Sequence, residues 1–230
     1  MKATGIVPRF LSIFVVFVYV LFAYEAFGNI VVSYGWDGLL EGDPLEGWTK
    51  ELPFEGDLDV STTFGYPGGS MFATDTKSSS SGLLARAPDV LSGDLTAYTG
   101  IYWDEYIPGR SNTKVATFII LEGSDGTMYE SERIEGSAVA KNFWNQRFEP
   151  LNDPSAWFLV KHSGSASFDD VIADVAGLLI SMDTSSQSQG RVESWVDNFE
   201  VHAVPVPGAV WLLGSGLVTL AAFKRKFRKN

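Results

Sequence analysis

The chemistry open to this chain is set first by its carboxylates. Residues 29–207 hold 27 acidic and ten basic side chains, a net charge of −17. Acidic neighbours recur as Asp104-Glu105, Glu130 with Glu132, and Asp169-Asp170. Glycoside hydrolysis needs two carboxyls at a fixed separation across a sugar cleft, and spacing along a chain does not supply that separation. With so many acids, neighbours arise by chance, and each pair reads as part of a solvated face. The two histidines, His162 and His202, sit in neither a nucleophile elbow nor a metal-binding His pair and read as solvated surface residues. Cysteine is absent, which removes disulfides, thiolate nucleophiles and thiolate metal sites together. No catalytic residue is assigned, and the chain reads as a non-enzyme; a secreted hydrolase is the alternative from another class.

Aromatic side chains offer a different chemistry. Residues 29–207 contain six tryptophans: Trp36, Trp48, Trp103, Trp144, Trp157 and Trp195. Buried, they are core, and this is the expected fate of most; exposed, they are flat platforms for sugar rings. The densest group is Tyr98, Tyr102, Trp103 and Tyr106, the candidate ligand-binding set. Strand alternation places Tyr98, Tyr102 and Tyr106 on one face and Trp103 on the other. A strongly acidic surface repels nucleic acid and anionic headgroups and leaves neutral partners such as sugars. No nucleic-acid footprint is present.

Short runs rich in Val, Ile, Phe, Tyr and Trp, separated by Gly, Ser, Asp and Asn clusters, predict an all-β antiparallel sandwich. The expected strands are 30–33, 69–74, 82–87, 97–106, 114–122, 128–134, 142–149, 178–182 and 194–201. The clearest hairpin turns on Gly123-Ser124-Asp125-Gly126, with Phe118, Ile120 and Tyr129 assigned to one face. One helical turn is predicted at 168–176, capped by Asp169 or Asp170, with Val171, Ile172 and Val175 toward the core.

Both ends depart from this pattern. At the start, Lys2 and Arg9 precede fifteen uncharged residues, Phe10 to Tyr24, and Ala26-Phe27-Gly28 places small residues at −3 and −1. This is a secretory signal peptide over residues 1–28, cleaved between Gly28 and Asn29, with signal peptidase and the secretion translocon as partners. At the other end stand Val204, Pro205, Val206 and Pro207, then sixteen uncharged residues, Gly208 to Phe223, then a basic tail containing Lys224, Arg225 and Lys226. As a helix the apolar run spans about 24 Å, short of a hydrocarbon core of about 30 Å. Trp211 and the basic side chains extend the fit at the interfaces, while Gly214, Ser215 and Gly216 form a small-residue patch. The basic tail stays cytoplasmic and the body lies outside, so a C-terminal transmembrane helix is expected within the segment 204–230, between the proline pair and the basic tail.

The order of these parts, Val204-Pro205-Val206-Pro207, the Trp211–Leu217 block and the Lys/Arg end, resembles the PEP-CTERM sorting signal of Gram-negative bacteria. Val206 stands where that family's name-giving Glu would be. The resemblance implies exosortase, a membrane transpeptidase-like cysteine protease, as a partner, a membrane-anchored intermediate, and removal of the tail before the protein reaches the cell surface or extracellular matrix. Within 29–203, Gly65–Ala73, Ala87–Leu95 and Val196–Val201 resemble the laminin B (laminin IV type A) domain. Leu83-Leu84-Ala85-Arg86 replaces the aromatics usual before its Ala-Pro. This second resemblance implies a jelly-roll-like sandwich akin to carbohydrate-binding modules. Such modules tie first and last strands with an oxygen-coordinated ion, which makes Asp197 and Asn198, with Glu46 or Asp43, the candidate Ca2+ ligands. The resulting expectation is an exported structural or adhesive matrix protein, with a lectin-like module that contacts exopolysaccharide as the alternative.

Overall fold

The computed structural model describes residues 29–36, 45–51, 57–62, 64–65, 68–75, 83–109, 116–135, 137–183 and 192–203. Apart from Asn29, these belong to one unit, Ile30–Ala203. The signal peptide, Gly28 and the whole sorting segment from Val204 to Asn230 lie outside the described residues. So does the expected membrane helix; among the described residues no helix is long and apolar enough to cross a membrane.

Among the described residues twelve strands run in chain order: β1 (Asn29–Tyr34), β2 (Thr49–Lys50), β3 (Asp57–Ser61), β4 (Ser70–Asp75), β5 (Leu83–Arg86), β6 (Tyr98–Tyr106), β7 (Phe118–Gly123), β8 (Met128–Ser131), β9 (Trp144–Pro150), β10 (Trp157–Leu159), β11 (Val175–Asp183) and β12 (Val192–Ala203). They form two sheets. The first has the order β3-β4-β12-β6-β9, with β1 also paired to β12; the second has the order β10-β8-β7-β11-β5-β2. Neighbours along both orders are antiparallel. All nine expected strands are present. Three more carry no clear signal in the sequence: β2 and β10 have two and three residues, and the edge strand β3 is Asp-Leu-Asp-Val-Ser, too acidic to show a strand pattern.

Period-two alternation builds the core. The first sheet turns Val60, Met71, Ala73, Ile101, Trp103, Val196 and Val201 inward; the second contributes Leu83, Ala85, Ile119, Leu121, Leu178 and Ile180. Four of the six tryptophans, Trp36, Trp48, Trp103 and Trp157, are buried. A small separate cluster, Phe118, Ile120 and Leu179, lies apart from this core. The hairpin register corrects one expectation. Leu121 pairs with Tyr129, so Tyr129 packs against the main core and not beside Phe118 and Ile120.

Helix α1 (Phe168–Ala173) is capped by Ser167 rather than by either aspartate. The Ser167 hydroxyl accepts from the Asp170 N–H, and the Asp170 carboxylate accepts from the Ser167 N–H, a reciprocal capping box. Val171, Ile172 and Val175 are buried as expected, though Val175 already belongs to β11.

Charge also enters the interior. Glu105 is fully buried and accepts from the Thr117 N–H at 2.6 Å. Arg147 Nη1 lies 3.5 Å from Glu105, and its guanidinium sits 5.6 Å from the Trp103 ring centroid. Burial raises the Glu105 carboxyl above its ordinary range. Burial also pushes Glu149 up to about 7, with the nearby Arg147 charge opposing that shift. A carboxyl raised on folding binds its proton more tightly in the native state, so stability falls as pH rises from the unfolded value toward 7. The protein is therefore expected to melt several degrees higher at pH 5 than at pH 8, and Glu149→Gln, on the order of 1 kcal/mol more stable at pH 8, to shrink that difference, as thermal melts at both pH values will show.

Candidate functional site

The outer face of the first sheet carries a row of rings that crosses its strands. Register puts Phe72 of β4 opposite Trp195 of β12, Trp195 opposite Tyr106 of β6, and Tyr106 opposite Trp144 of β9. All four are half-buried. Phe64 closes against them, with ring centroids 4.5 Å from Tyr106, 5.4 Å from Trp195 and 5.6 Å from Trp144. Trp195 in turn stacks on Phe72 at 6.1 Å. Such pairs hold one another in offset and edge-on geometry, leaving ring faces presented on a stiff surface.

A groove of about 510 Å³ lies at the middle of this row, walled by Phe64, Tyr106 and Trp195 and edged by Ser61, Pro108 and Asn142. Its rim is fixed by a side-chain bond: Asn142 Oδ1 accepts from the Gly109 N–H at 2.6 Å. A Cβ on Gly109 would fall 2.6 Å from the Asn142 amide, so a larger residue there would displace that side chain.

Four residues before Tyr106 on β6, Tyr102 starts a second aromatic group. Its ring lies 4.4 Å from Phe148 and 4.4 Å from His202. His202 is half-buried and bonds Glu200 at 2.8 Å, so it is not the solvated histidine expected; His162 is exposed. Between the two aromatic groups lies a polar band. Asp104 pairs with Asp197 across β6 and β12, and a bulge follows Asp197. Asn198, with φ at 46°, donates from its amide to Asp104 Oδ2 at 2.9 Å, while its N–H reaches Asp197 Oδ1 at 2.8 Å. A flat face with rings at both ends and acceptor oxygens between them can stack on sugar rings and accept from their hydroxyls.

The ligand set expected from the sequence is thereby divided. Tyr102 and Tyr106 lie on this face. Trp103 does not: it points into the core, and its indole N–H donates to the Thr117 hydroxyl at 2.7 Å. Tyr98 is half-buried and packs against the core. Phe64, Phe72, Trp144, Phe148 and Trp195 stand outside that set, because they come from β4, β9, β12 and the connection before β4, and only the fold brings them together. The calcium donors are separated too. Asp197 and Asn198 are engaged with each other and with Asp104, whereas Glu46 is exposed and adds its charge to the burial that raises the Tyr34 phenol. Among the described residues no point gathers three His, Asp or Glu side chains that could hold a metal ion; Asp43 lies outside the described residues. The acidic pairs are structural or solvated: Asp104 and Glu105 face opposite ways, Glu130 binds Arg133 at 2.5 Å, and Asp170 completes the helix cap.

Neither a family model nor a curated protein matches this chain. Solved structures do. The CBM22-1 xylan-binding domain from Paenibacillus barcinonensis Xyn10C superposes with a TM-score of 0.50 at 14% identity, covering 78% of this chain and 97% of that one. CtCBM11, studied in solution for its dynamics and binding, superposes at 0.52 with 16% identity, covering 78% and 97%. At such identities the likeness is one of fold: this chain has the β-sandwich that those modules share.

The site geometry has a direct optical test. In a Trp211→Phe background, acrylamide is expected to quench Trp144 and Trp195 several-fold more readily than Trp36, Trp48, Trp103 and Trp157, since only the first two are half-exposed. Replacing Trp144 and Trp195 by Phe should remove most of the quenchable emission; replacing Trp103 should not.

Proposed function

We propose that the sandwich is a non-catalytic carbohydrate-binding module that takes neutral polysaccharide on the outer face of its first sheet. The observation that carries this reading is the ring row Phe72–Trp195–Tyr106–Trp144, with Phe64 against it and a groove alongside. Three further points support it. The fold is that of a xylan-binding domain. The half-buried Asp104 carboxylate, held by the Asn198 amide, offers acceptors to hydroxyls, while Asp197 is buried beneath the band. The net charge of −17 over residues 29–207 disfavours anionic chains and nucleic acid. A purely structural or adhesive sandwich, the leading expectation from sequence, would have no use for a preformed aromatic groove, and the binding reading is the better supported.

The proposal extends to the ends of the chain. Residues 1–28 export the protein and residues 204–230 act as a PEP-CTERM-like membrane helix and exosortase signal. The jelly-roll connection, the laminin B kinship of residues 29–203 and delivery to the surface of a Gram-negative cell belong to the same proposal. Its support is the sequence alone: the hydrophobic runs, the proline pair and the basic end.

Affinity gel electrophoresis with soluble xylan, mixed-linkage glucan and galactomannan tests the binding reading. At least one of these should retard the protein, and Trp195→Ala should weaken that retardation tenfold or more, as loss of a central aromatic anchor does. Mobility unchanged by every polysaccharide, or retardation indifferent to Trp195→Ala, would refute it.

A further inference from the structure

The sandwich has an open flank. β9 is an edge of the first sheet and β10 an edge of the second, and between them lies a cavity of about 390 Å³ that shares no residue with the aromatic groove. Its lining includes Arg147, Glu149, Glu132 and Ser155, with Phe148 and Phe158 as apolar walls. The two rings are unusually exposed for their size, 43% and 53%. The floor is the opposite: Arg147 and Glu149 are 8% and 7% exposed.

The floor carries an unmet donor. Arg147 Nη2 is buried without a hydrogen-bond partner, since its 3.8 Å approach to Glu149 Oε1 is too long for one. Behind it, Glu105 Oε2 also lacks a hydrogen-bond partner. A buried guanidinium N–H left unpaired is costly, and a cavity beside it is where a partner would sit. That partner has a definable chemistry. Two carboxyls, Glu105 and Glu149, lie 3.5 and 3.8 Å from the one guanidinium, and Glu132 also lines the cavity, so an anion gains one attraction and meets several repulsions. A hydroxyl suits the site better: it accepts from Arg147 and donates to a carboxyl of Glu149 or Glu132. Adjacent hydroxyls on one small ring satisfy both, and the ring's apolar face rests on Phe158 or Phe148. The volume lies at the low end for ligand sites, which fits one or two rings and not a running chain.

We infer that the flank cavity between β9 and β10 is a second carbohydrate site, one that takes a neutral monosaccharide unit such as a chain end or a branch. It is built from Arg147 and Glu149 at the floor and Phe158 at the wall, and does not depend on the groove. One side of the sandwich then grips a chain along its length while the flank takes a terminal or branching sugar.

A built-in reporter adjoins it. The Trp157 indole N–H donates to the carbonyl of Pro150, which lines the cavity, at 2.7 Å. The test is a 1H–15N titration of the full protein with glucose, xylose, mannose, N-acetylglucosamine and glucuronate, each to about 50 mM, enough to saturate a site with Kd of about 1 mM. At least one neutral sugar should shift the Trp157 indole and Arg147 Nε signals with saturation. Phe158→Ala, at an exposed position, and Arg147→Lys should each weaken that shift at least fivefold, and Trp195→Ala should leave it intact. No saturating shift with any neutral sugar, a response to glucuronate alone, shifts that survive Phe158→Ala, or loss with Trp195→Ala would each overturn the inference. The groove reading is judged separately, by polysaccharide retardation.

Discussion

The pairing of β12 with β6 sets Trp195 opposite Tyr106 and Val196 opposite Glu105. Both sides of the first sheet follow from that register. Its inner side receives Val196, Ile101 and Trp103, which close the core against Ile119, Leu121 and Ile180 of the second sheet. Its outer side receives the ring row and the Asp104–Asp197 band. Because side chains alternate with period two, slipping β12 by one residue would bury Trp195 and expose Val196. The bulge after Asp197 is where the ladder departs from this rule. It places Asn198 in the left-handed region, from which its amide reaches Asp104, and restores Phe199 and Val201 to the core.

The interior charges qualify the picture of an apolar sandwich. Glu105, Arg147 and Glu149 stand at the β6–β9 margin of the core, where a hydrocarbon filling would be less costly. Glu105 has a local duty in holding the Thr117 N–H at the entry to β7, and Thr117 in turn accepts from the Trp103 indole. Arg147 lies beneath the Trp103 ring, lines the flank cavity and keeps a buried Nη2 without a hydrogen-bond partner. The cluster thus ties the margin of one sheet to the start of a strand in the other, and the proposed flank site draws on the same residues.

Much of the fold is legible in the residues themselves. Alternation marks nine strands and the hairpin at Gly123–Gly126, and it puts Tyr102 and Tyr106 on the face opposite Trp103. The helix at Phe168 is legible too, but its cap is not: serine and aspartate cap equally well by type, and only the reciprocal bonds single out Ser167. The proposed binding face is legible only through Tyr102 and Tyr106. Phe72, Tyr106, Trp144 and Trp195 are scattered over more than a hundred residues, and a row across four strands exists only once their order and register are known. A one-dimensional reading favours clusters close in sequence, and so selects Tyr98 and Trp103, which alternation and packing turn elsewhere. The flank cavity is hidden for the same reason, since Arg147 looks like any surface arginine until β9 is seen to be an edge with its odd-numbered residues inward.

The account stands on the claim that the outer face of the first sheet is where polysaccharide lies. Mapping a soluble oligosaccharide of a retained polysaccharide by 1H–15N chemical shifts tests it most directly. The account predicts that the indole signals of Trp144 and Trp195 and the backbone amides around Tyr102, Tyr106 and Asn142 move together, while the indoles of Trp36, Trp48 and Trp103 stay still. Shifts centred instead on the second sheet, around Phe118, Ile120 and Leu179, with Trp144 and Trp195 unmoved, would contradict it.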